Sequence, residues 1–301
     1  KMQIQKIMNV HVQDAVTALA KEGRATSSIR EALGTVTRCM ESARNNRIIE
    51  INPCFDIQVP WEKKNVNRRF LTVDEQNTFM EEAENNWYKE MFYVMLHTGL
   101  RVGEVGGLKW VDVDFDNKCI NVRQSLSCNY YKGVKKQCLT TLKTQNSYRK
   151  IPFIGDMEEM LLSQKEKQNT LKKELKDRYR STGEFEDLVF CTSMGSPISR
   201  YVAEKEINKV VAAINYEETI NAALEHREPE VFEKVYPHAL RHTFCSRCFE
   251  KGIAPKVVQA LMGHAHYSTT IDIYTHVTED KMGEELEKFQ EVRSEEHTSE
   301  L

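Results

Sequence analysis

The stretch Trp61–Arg69 is polar, basic and without apolar period, and it separates two regions that each have one. A break of this kind favours a chain folded in two parts over one continuous core. Before the break, Val12, Val16 and Leu19 recur at helical spacing and Gly23 follows as a stop. After the start signal Thr26-Ser27-Ser28, Ile29, Leu33, Val36 and Met40 recur at intervals of 4, 3 and 4, the period of a helix face. Asn52-Pro53 ends this region. Beyond the break, Thr72 and Glu75 fit a capping box, and helices are predicted over about residues 73–85 and 87–98. Alternating and β-branched runs are found at residues 110–123 and 148–154, with Asp116-Asn117 as a turn. One long charged helix is predicted over 156–180. Helices resume near 199, broken around Gly195-Ser196-Pro197, Pro229, Pro237, Gly252 to Pro255, and Gly263. The expected fold is mainly α with a small antiparallel β-sheet, in two domains. Residues 1–60 form a small helical domain, 61–71 a linker and 72–292 a larger domain.

Composition narrows the class. Of 301 residues, 40% are hydrophobic and 29% charged, too apolar for a disordered chain. No run approaches the ~20 apolar residues of a bilayer span, and no signal peptide opens the chain, so a membrane is not an expected partner. Eight irregularly spaced cysteines read as reduced thiols in a cytoplasm rather than as a disulfide framework. The chain opens at Lys1 in mid-pattern, which reads as an N-terminal truncation. Arg293–Leu301 resembles the translation of a sequencing-library adapter and is set aside as an artefactual tail.

The net charge of −3 conceals local excesses. Residues 1–70 hold 12 basic and 7 acidic side chains, and include Lys63, Lys64, Arg68 and Arg69 of the linker. Residues 121–150 hold Arg123, Lys132, Lys135, Lys136, Lys143, Arg149 and Lys150 with no acid. Such segments can line a surface that attracts phosphate backbones. Either one alone is equally consistent with solvated surface lysines.

Four stretches carry chemistry. In His97-Thr-Gly-Leu-Arg101-Val-Gly-Glu104 an arginine stands at a helix start, where a guanidinium and helix amides together can hold an anion. A plain surface arginine is the other reading. Leu142-Lys143-Thr144, followed by Ser147 and Arg149, suits the tip of a basic β-hairpin, with Lys143 a proton donor, a phosphate contact or simply a surface residue. In Pro237-His238-Ala-Leu-Arg241-His242, His238 and Arg241 share a helix face at i and i+3 and can handle a proton and a phosphoryl charge. Leu261-Met-Gly-His264 is followed ten residues later by Tyr274-Thr-His276. Tyr274 could be a nucleophile toward phosphorus or a core residue.

The order Arg101, Lys143, His238-x-x-Arg241, His264, Tyr274 resembles the tyrosine recombinase (phage integrase) family. The strings TGLRVGE, LKTQNSYRKIP, HALRHTF, LMGH and YTH carry the likeness, over roughly residues 5–290. It is most similar to integrases of conjugative transposons and temperate phages of Gram-positive bacteria. The resemblance implies a two-domain DNA clamp in which residues 1–60 are the core-binding domain. It implies a site-specific recombinase that cuts and rejoins DNA through a 3′-phosphotyrosyl bond, in a bacterial cytoplasm, to integrate and excise a mobile element. The implied catalytic set is Arg101, Lys143, His238, Arg241, His264 and Tyr274, with Glu104 as a helix-fixing acid and His242 as a support. The implied partners are double-stranded DNA at attachment sites and a homotetramer of the protein on that DNA. An excisionase or a host DNA-bending protein would be an accessory. The apolar stripe Met282, Leu286, Phe289 would dock on a neighbouring protomer or fold back onto its own domain. No cofactor and no metal is implied. Cys245-x-x-Cys248 beside His238 and His242 suggests zinc, but all four would lie on one helix, which cannot wrap a tetrahedral ion. Buried thiols are the better reading, with His266 and His276 in packing or capping roles. The competing readings are a DNA-binding regulator that has lost catalysis and a type IB topoisomerase. The complete motif set argues against the first; strand exchange between two sites would separate the second.

Overall fold

The structure, a computed structural model, describes residues 2–60, 69–131, 133–142 and 144–273. The chain divides into two compact units, Lys1–Asn67 and Arg68–Leu301.

In the first unit, helices α1 (Asn9–Lys21) and α2 (Thr26–Asn45) bury Val12 and Val16 against Ile29, Met40 and Ala43. This is the face that the apolar spacing marks. The segment after α2 returns along α1 by side-chain hydrogen bonds. Asn9 Nδ2 donates to the Pro53 and Phe55 carbonyls, and Gln13 exchanges two bonds with the Gln58 backbone. Polar side chains here serve backbone that no helix satisfies.

The second unit begins earlier than the sequence suggests. Leu71 is fully buried, its N–H donates to Thr243 Oγ1, and its carbonyl accepts from Arg247. Residues 69–71 therefore belong to the larger unit rather than to a linker. Helix α3 (Val73–Glu82) opens on the expected capping box: Glu75 N–H donates to Thr72 Oγ1 and Thr72 N–H to Glu75 Oε2. Helix α4 (Lys89–Thr98) is buried nearly all round, through Met91, Phe92, Val94, Met95 and Leu96, and packs against the two helices that follow it at a distance, α6 (Met157–Leu175) and α8 (Pro237–Glu250). A helix apolar on every side is a core element.

The short helix α5 (Val102–Gly107) follows. Strands β1 (Val113–Asp114), β2 (Cys119–Val122) and β5 (Arg149–Pro152) form an antiparallel sheet in the order β1-β2-β5, with Asp114 holding the turn through Asn117. Between β2 and β5 lies a second sheet, the hairpin of β3 (Gln124–Tyr131) and β4 (Val134–Thr141). Tyr131 pairs with Val134, so the turn falls at Gly133, φ +80°. Leu142 and Thr144 thus lie at the open end of the hairpin and not at its tip as expected; Lys143 itself is outside the described residues.

Helix α6 stops at Leu175, short of residue 180, and gives way to a 3₁₀ turn at Lys176–Arg178. Helix α7 (Arg200–Leu224) is capped by Ser199. Helix α8 starts on Pro237, and α9 (Pro255–Met262) on Pro255, both favoured first positions. Gly263 caps α9 at φ +60°, and residues 267–273 are helical again. Phe244, Cys245, Cys248 and Phe249 of α8 pack with Val258, Met262 and Ile273 in a small second core. Both cysteines are thus buried thiols. His266 is exposed, which gives it no packing role; His276 lies outside the described residues. Among the described residues no helix is long and apolar enough to cross a membrane.

Candidate active site

The last carbonyls of a helix have no partner within it and carry the negative pole of its dipole. At the end of α9 three consecutive carbonyls are each met by a different arginine. Arg149 Nε donates to Leu261 O at 2.6 Å. Arg241 Nη2 donates to Met262 O, and Arg101 Nη2 to Gly263 O at 3.0 Å. The arginines come from β5, α8 and the residue before α5, so this helix end gathers cations that lie far apart in sequence.

Two glycines make the approach possible. Gly99 ends α4 at φ +61°, and a Cβ there would lie 2.5 Å from Phe244 Cδ1 and 2.8 Å from Met262 Sδ. Its carbonyl accepts from Arg241 Nη1, so Arg241 ties the end of α4 to the end of α9. Gly107 of α5 lies directly on the β3 backbone, where a Cβ would be 2.8 Å from Leu126 N. This brings the hairpin beside the arginines.

Glu104 is the acid of the cluster. It is 3% exposed. Its Oε2 accepts from the Arg101 N–H at 2.9 Å and its Oε1 from Arg101 Nη1 at 2.7 Å. Arg149 Nη2 and Nη1 donate to the same two oxygens at 2.9 and 3.2 Å. Burial alone would raise its pKa; the hydrogen bonds and charge of Arg149, joined by Arg101, bring it down to about 2. Three guanidiniums against one carboxylate leave the cluster a net cation.

That field acts on the other residues. Arg241 is 3% exposed. Burial, and then the charge of Arg101, push it down to about 9, which still leaves it protonated at neutral pH. His264 is 9% exposed, and its Nδ1 lies 2.9 Å from Thr270 Oγ1. Burial, then Arg241 and Arg101, lower its pKa to about 3, so the ring is neutral. His238 is exposed at the mouth of the site and packs edge-on to His242, centroids 6.3 Å apart. Partial desolvation, then Arg241, Arg200 and Arg101, hold it below the ordinary imidazole value. A cavity of about 360 Å³ opens beside Arg101, lined by Ser125, Ser127, Thr140, Thr144 and Ser147 among others.

The structure therefore brings Arg101, Arg241 and His264 together on the α9 terminus, with His238 on α8 one turn before Arg241. Lys143 and Tyr274 lie outside the described residues; Tyr274 follows directly on the helical stretch 267–273. The expected DNA contacts divide. Arg123, Lys136 and Lys150 are exposed, although Arg123 Nη1 lies 3.4 Å from Asp112 Oδ1. Arg149 is not on that surface: its side chain is 5% exposed and fully engaged. Arg69 is likewise engaged, donating to both oxygens of Glu75 at 2.9 and 2.6 Å and pairing with Glu233. Lys135 lies on β4; Lys63, Lys64, Arg68 and Lys132 are outside the described residues. The contributors that sequence reasoning does not reach are Arg149, whose one signal is its i, i+2 alternation with the apolar Ile151, and the carbonyls of residues 261–263, which leave no local signal.

A cationic cluster of this make-up can hold an anion such as a phosphate, and the comparisons with known proteins say to which family the chain belongs. The pattern of the Phage integrase family matches residues 69–281. A "Tyrosine recombinase XerC-like" protein of Caldanaerobacter subterraneus is 27% identical over 92% of this chain and 69% of its own length. The "Transposase from transposon Tn916" of Enterococcus faecalis is 23% identical over 98% of this chain and 70% of its own. Among solved structures, the Tn1549 transposon integrase in complex with a circular intermediate DNA has a TM-score of 0.70 and 23% identity, covering 96% of this chain and 87% of that one; this likeness shows the fold. The chain belongs to the phage integrase family and is a tyrosine-type site-specific recombinase.

Proposed function

We propose that this integrase cleaves double-stranded DNA at attachment sites through a 3′-phosphotyrosyl intermediate formed by Tyr274, and rejoins it to a partner strand to integrate or excise a mobile element. The observation that carries this reading is the convergence of Arg101, Arg241 and His264 on the end of α9, where Arg101 and Gly263 also line an open cavity.

Attack by the Tyr274 hydroxyl breaks the bond from phosphorus to the 5′-oxygen and forms one to the tyrosyl oxygen. The phosphate charge concentrates on the nonbridging oxygens in the pentavalent transition state. Arg101 and Arg241 are fixed donors for that charge, already oriented and needing no reorganisation. His264 donates there as well in the tautomer that carries the proton on Nε2, in which Nδ1 accepts from Thr270 Oγ1. Partial desolvation, and then its cationic neighbours, lower the His238 pKa and so favour the neutral ring that can take the Tyr274 proton. Lys143 protonates the leaving 5′-oxygen. The reverse sequence with a new 5′-hydroxyl rejoins the strand, and the bond energy stays in the intermediate, so no nucleotide is consumed. Arg123, Lys136, Lys150 and the linker lysines position the duplex by its phosphates. Exchange proceeds in a homotetramer on two duplexes, with an excisionase or DNA-bending protein setting direction.

The test is a nicked suicide substrate bearing a candidate attachment site. The wild-type protein is expected to form a covalent protein–DNA band. Tyr274→Phe is expected to bind the same DNA with nearly unchanged affinity and form none. Wild-type levels of covalent complex in Tyr274→Phe would remove Tyr274 from the mechanism.

A further inference from the structure

Arg149 and Lys150 stand next to each other on β5. In the β2 register Arg149 lies opposite Val122 and Ile151 opposite Ile120, whereas Lys150 lies opposite Asn121. Successive strand residues point to opposite faces, so Arg149 shares the buried face with Ile151, 2% exposed, while Lys150 is exposed. A buried arginine must satisfy its donors. Arg149 does so by spanning both oxygens of Glu104, the Leu261 carbonyl and the Ser147 carbonyl at 3.1 Å. Its partners are the immediate neighbours of the reacting groups: Glu104 also holds Arg101, and Leu261 precedes the two carbonyls that hold Arg241 and Arg101.

We propose that Arg149 is a positioning residue for DNA cleavage, fixing Glu104 and the α9 terminus as one unit so that Arg101 faces the phosphate as an only partly neutralised cation. The inference rests on the recombinase reading above. Sharing Glu104 between two guanidiniums has an electrostatic consequence. With Arg149 in place the carboxylate cannot neutralise Arg101 alone; without it, the whole negative charge falls on Arg101. The sharing also has a geometric one: a planar fork can span two carboxylate oxygens and a carbonyl, and an ammonium cannot. Arg149 further adds to the field that keeps His264 neutral.

The experiment measures single-turnover covalent-complex formation on the nicked substrate, per DNA-bound protein, beside the salt dependence of binding. Normalising to bound protein removes partly unfolded material from the rate. Arg149→Lys is expected to lower the rate about 10-fold and Arg149→Met about 10²-fold, the scale of a small misplacement of a catalytic group. Affinity and salt slope are expected to stay at wild-type values in Arg149→Lys. In an Arg101→Lys background, Arg149→Lys is expected to cost nothing further, because the two changes disrupt one unit. A wild-type rate in Arg149→Lys would overturn the inference. So would equal losses in both backgrounds, which mark a general loss of stability, or a salt slope reduced by about 1, which marks a phosphate contact. If Arg101→Lys alone cleaves at the wild-type rate, the recombinase reading of this site fails and the inference with it. A crippled Arg101→Lys beside an intact Arg149→Lys defeats the inference alone.

Discussion

The arginine cluster at the end of α9 and the basic side chains of the sheet surface carry the same charge in opposite settings. Arg101, Arg149 and Arg241 are built into backbone carbonyls and a shared carboxylate, and two of the three are almost without solvent. Lys136 and Lys150 stand exposed on their strands. A buried, paired guanidinium cannot follow a moving ligand, but it stays where charge will develop, which is what a transition state requires. An exposed lysine is mobile and hydrated and can meet a phosphate wherever the duplex places it. Charge count alone treats the two groups alike; burial and partners separate them, and the proposed function gives chemistry to the first and binding to the second.

The sharpest break of this comparison is Arg241→Lys. The change leaves a charge but cannot reach both the Gly99 and Met262 carbonyls while facing a phosphate. Cleavage is expected to fall about 10³-fold, the upper range for losing one preorganised donor, with DNA affinity changed little. A loss confined to affinity would move Arg241 to the binding group.

A second expectation concerns acid. Glu104 and His264 both have folded pKa values below their ordinary 4.5 and 6.5, at about 2 and about 3. In each case the unfolded chain binds the proton more readily. Their contribution to stability is therefore complete above pH 6.5. It declines as pH falls, through His264 first and then Glu104 below 4.5. The cluster's share is on the order of a few kcal/mol, taking ~1.4 kcal/mol per pKa unit and allowing for relaxation. Urea midpoints are expected to fall steadily from pH 6.5 to pH 4, and His264→Gln is expected to flatten most of that decline. A midpoint independent of pH over this range would mean that the cluster does not hold the two groups as described.

The smallest effect is on the exposed side. Lys150→Ala is expected to reduce the slope of log affinity against log salt by about 1, and to leave the cleavage rate of bound DNA unchanged. A cleavage defect without a change of slope would place Lys150 with the chemistry.

Much of this arrangement is legible in the sequence, for identifiable reasons. The helices of the first unit, the capping box at Thr72 and the sheet strands flanking Asp116-Asn117 follow from apolar period and capping chemistry, which act over a few residues. The ordered motifs place Arg101, His238, Arg241 and His264 in one set. The hairpin's position is hard to read because Gln124–Tyr131 and Val134–Thr141 are mostly polar; what fixes β3 is close backbone approach to Gly103 and Gly107. Arg149 and Arg69 were misplaced because local charge density does not show that Glu104 lies 45 residues from one and Glu233 far along the chain from the other. The meeting of three arginines on the carbonyls of residues 261–263 is tertiary altogether and has no local signal.

The most direct test crosses the two groups in one assay. Arg101→Lys and the double variant Lys136→Ala/Lys150→Ala are compared with wild type on one nicked substrate, with equilibrium binding and single-turnover covalent-complex formation measured on the same preparations. Arg101→Lys is expected to bind nearly as wild type and to form the covalent complex about 10²-fold more slowly. The double variant is expected to bind more weakly, with a salt slope lower by about 2, and to react at the wild-type rate once bound. Equal losses of binding and rate in both variants would contradict the separation of buried chemistry from exposed binding.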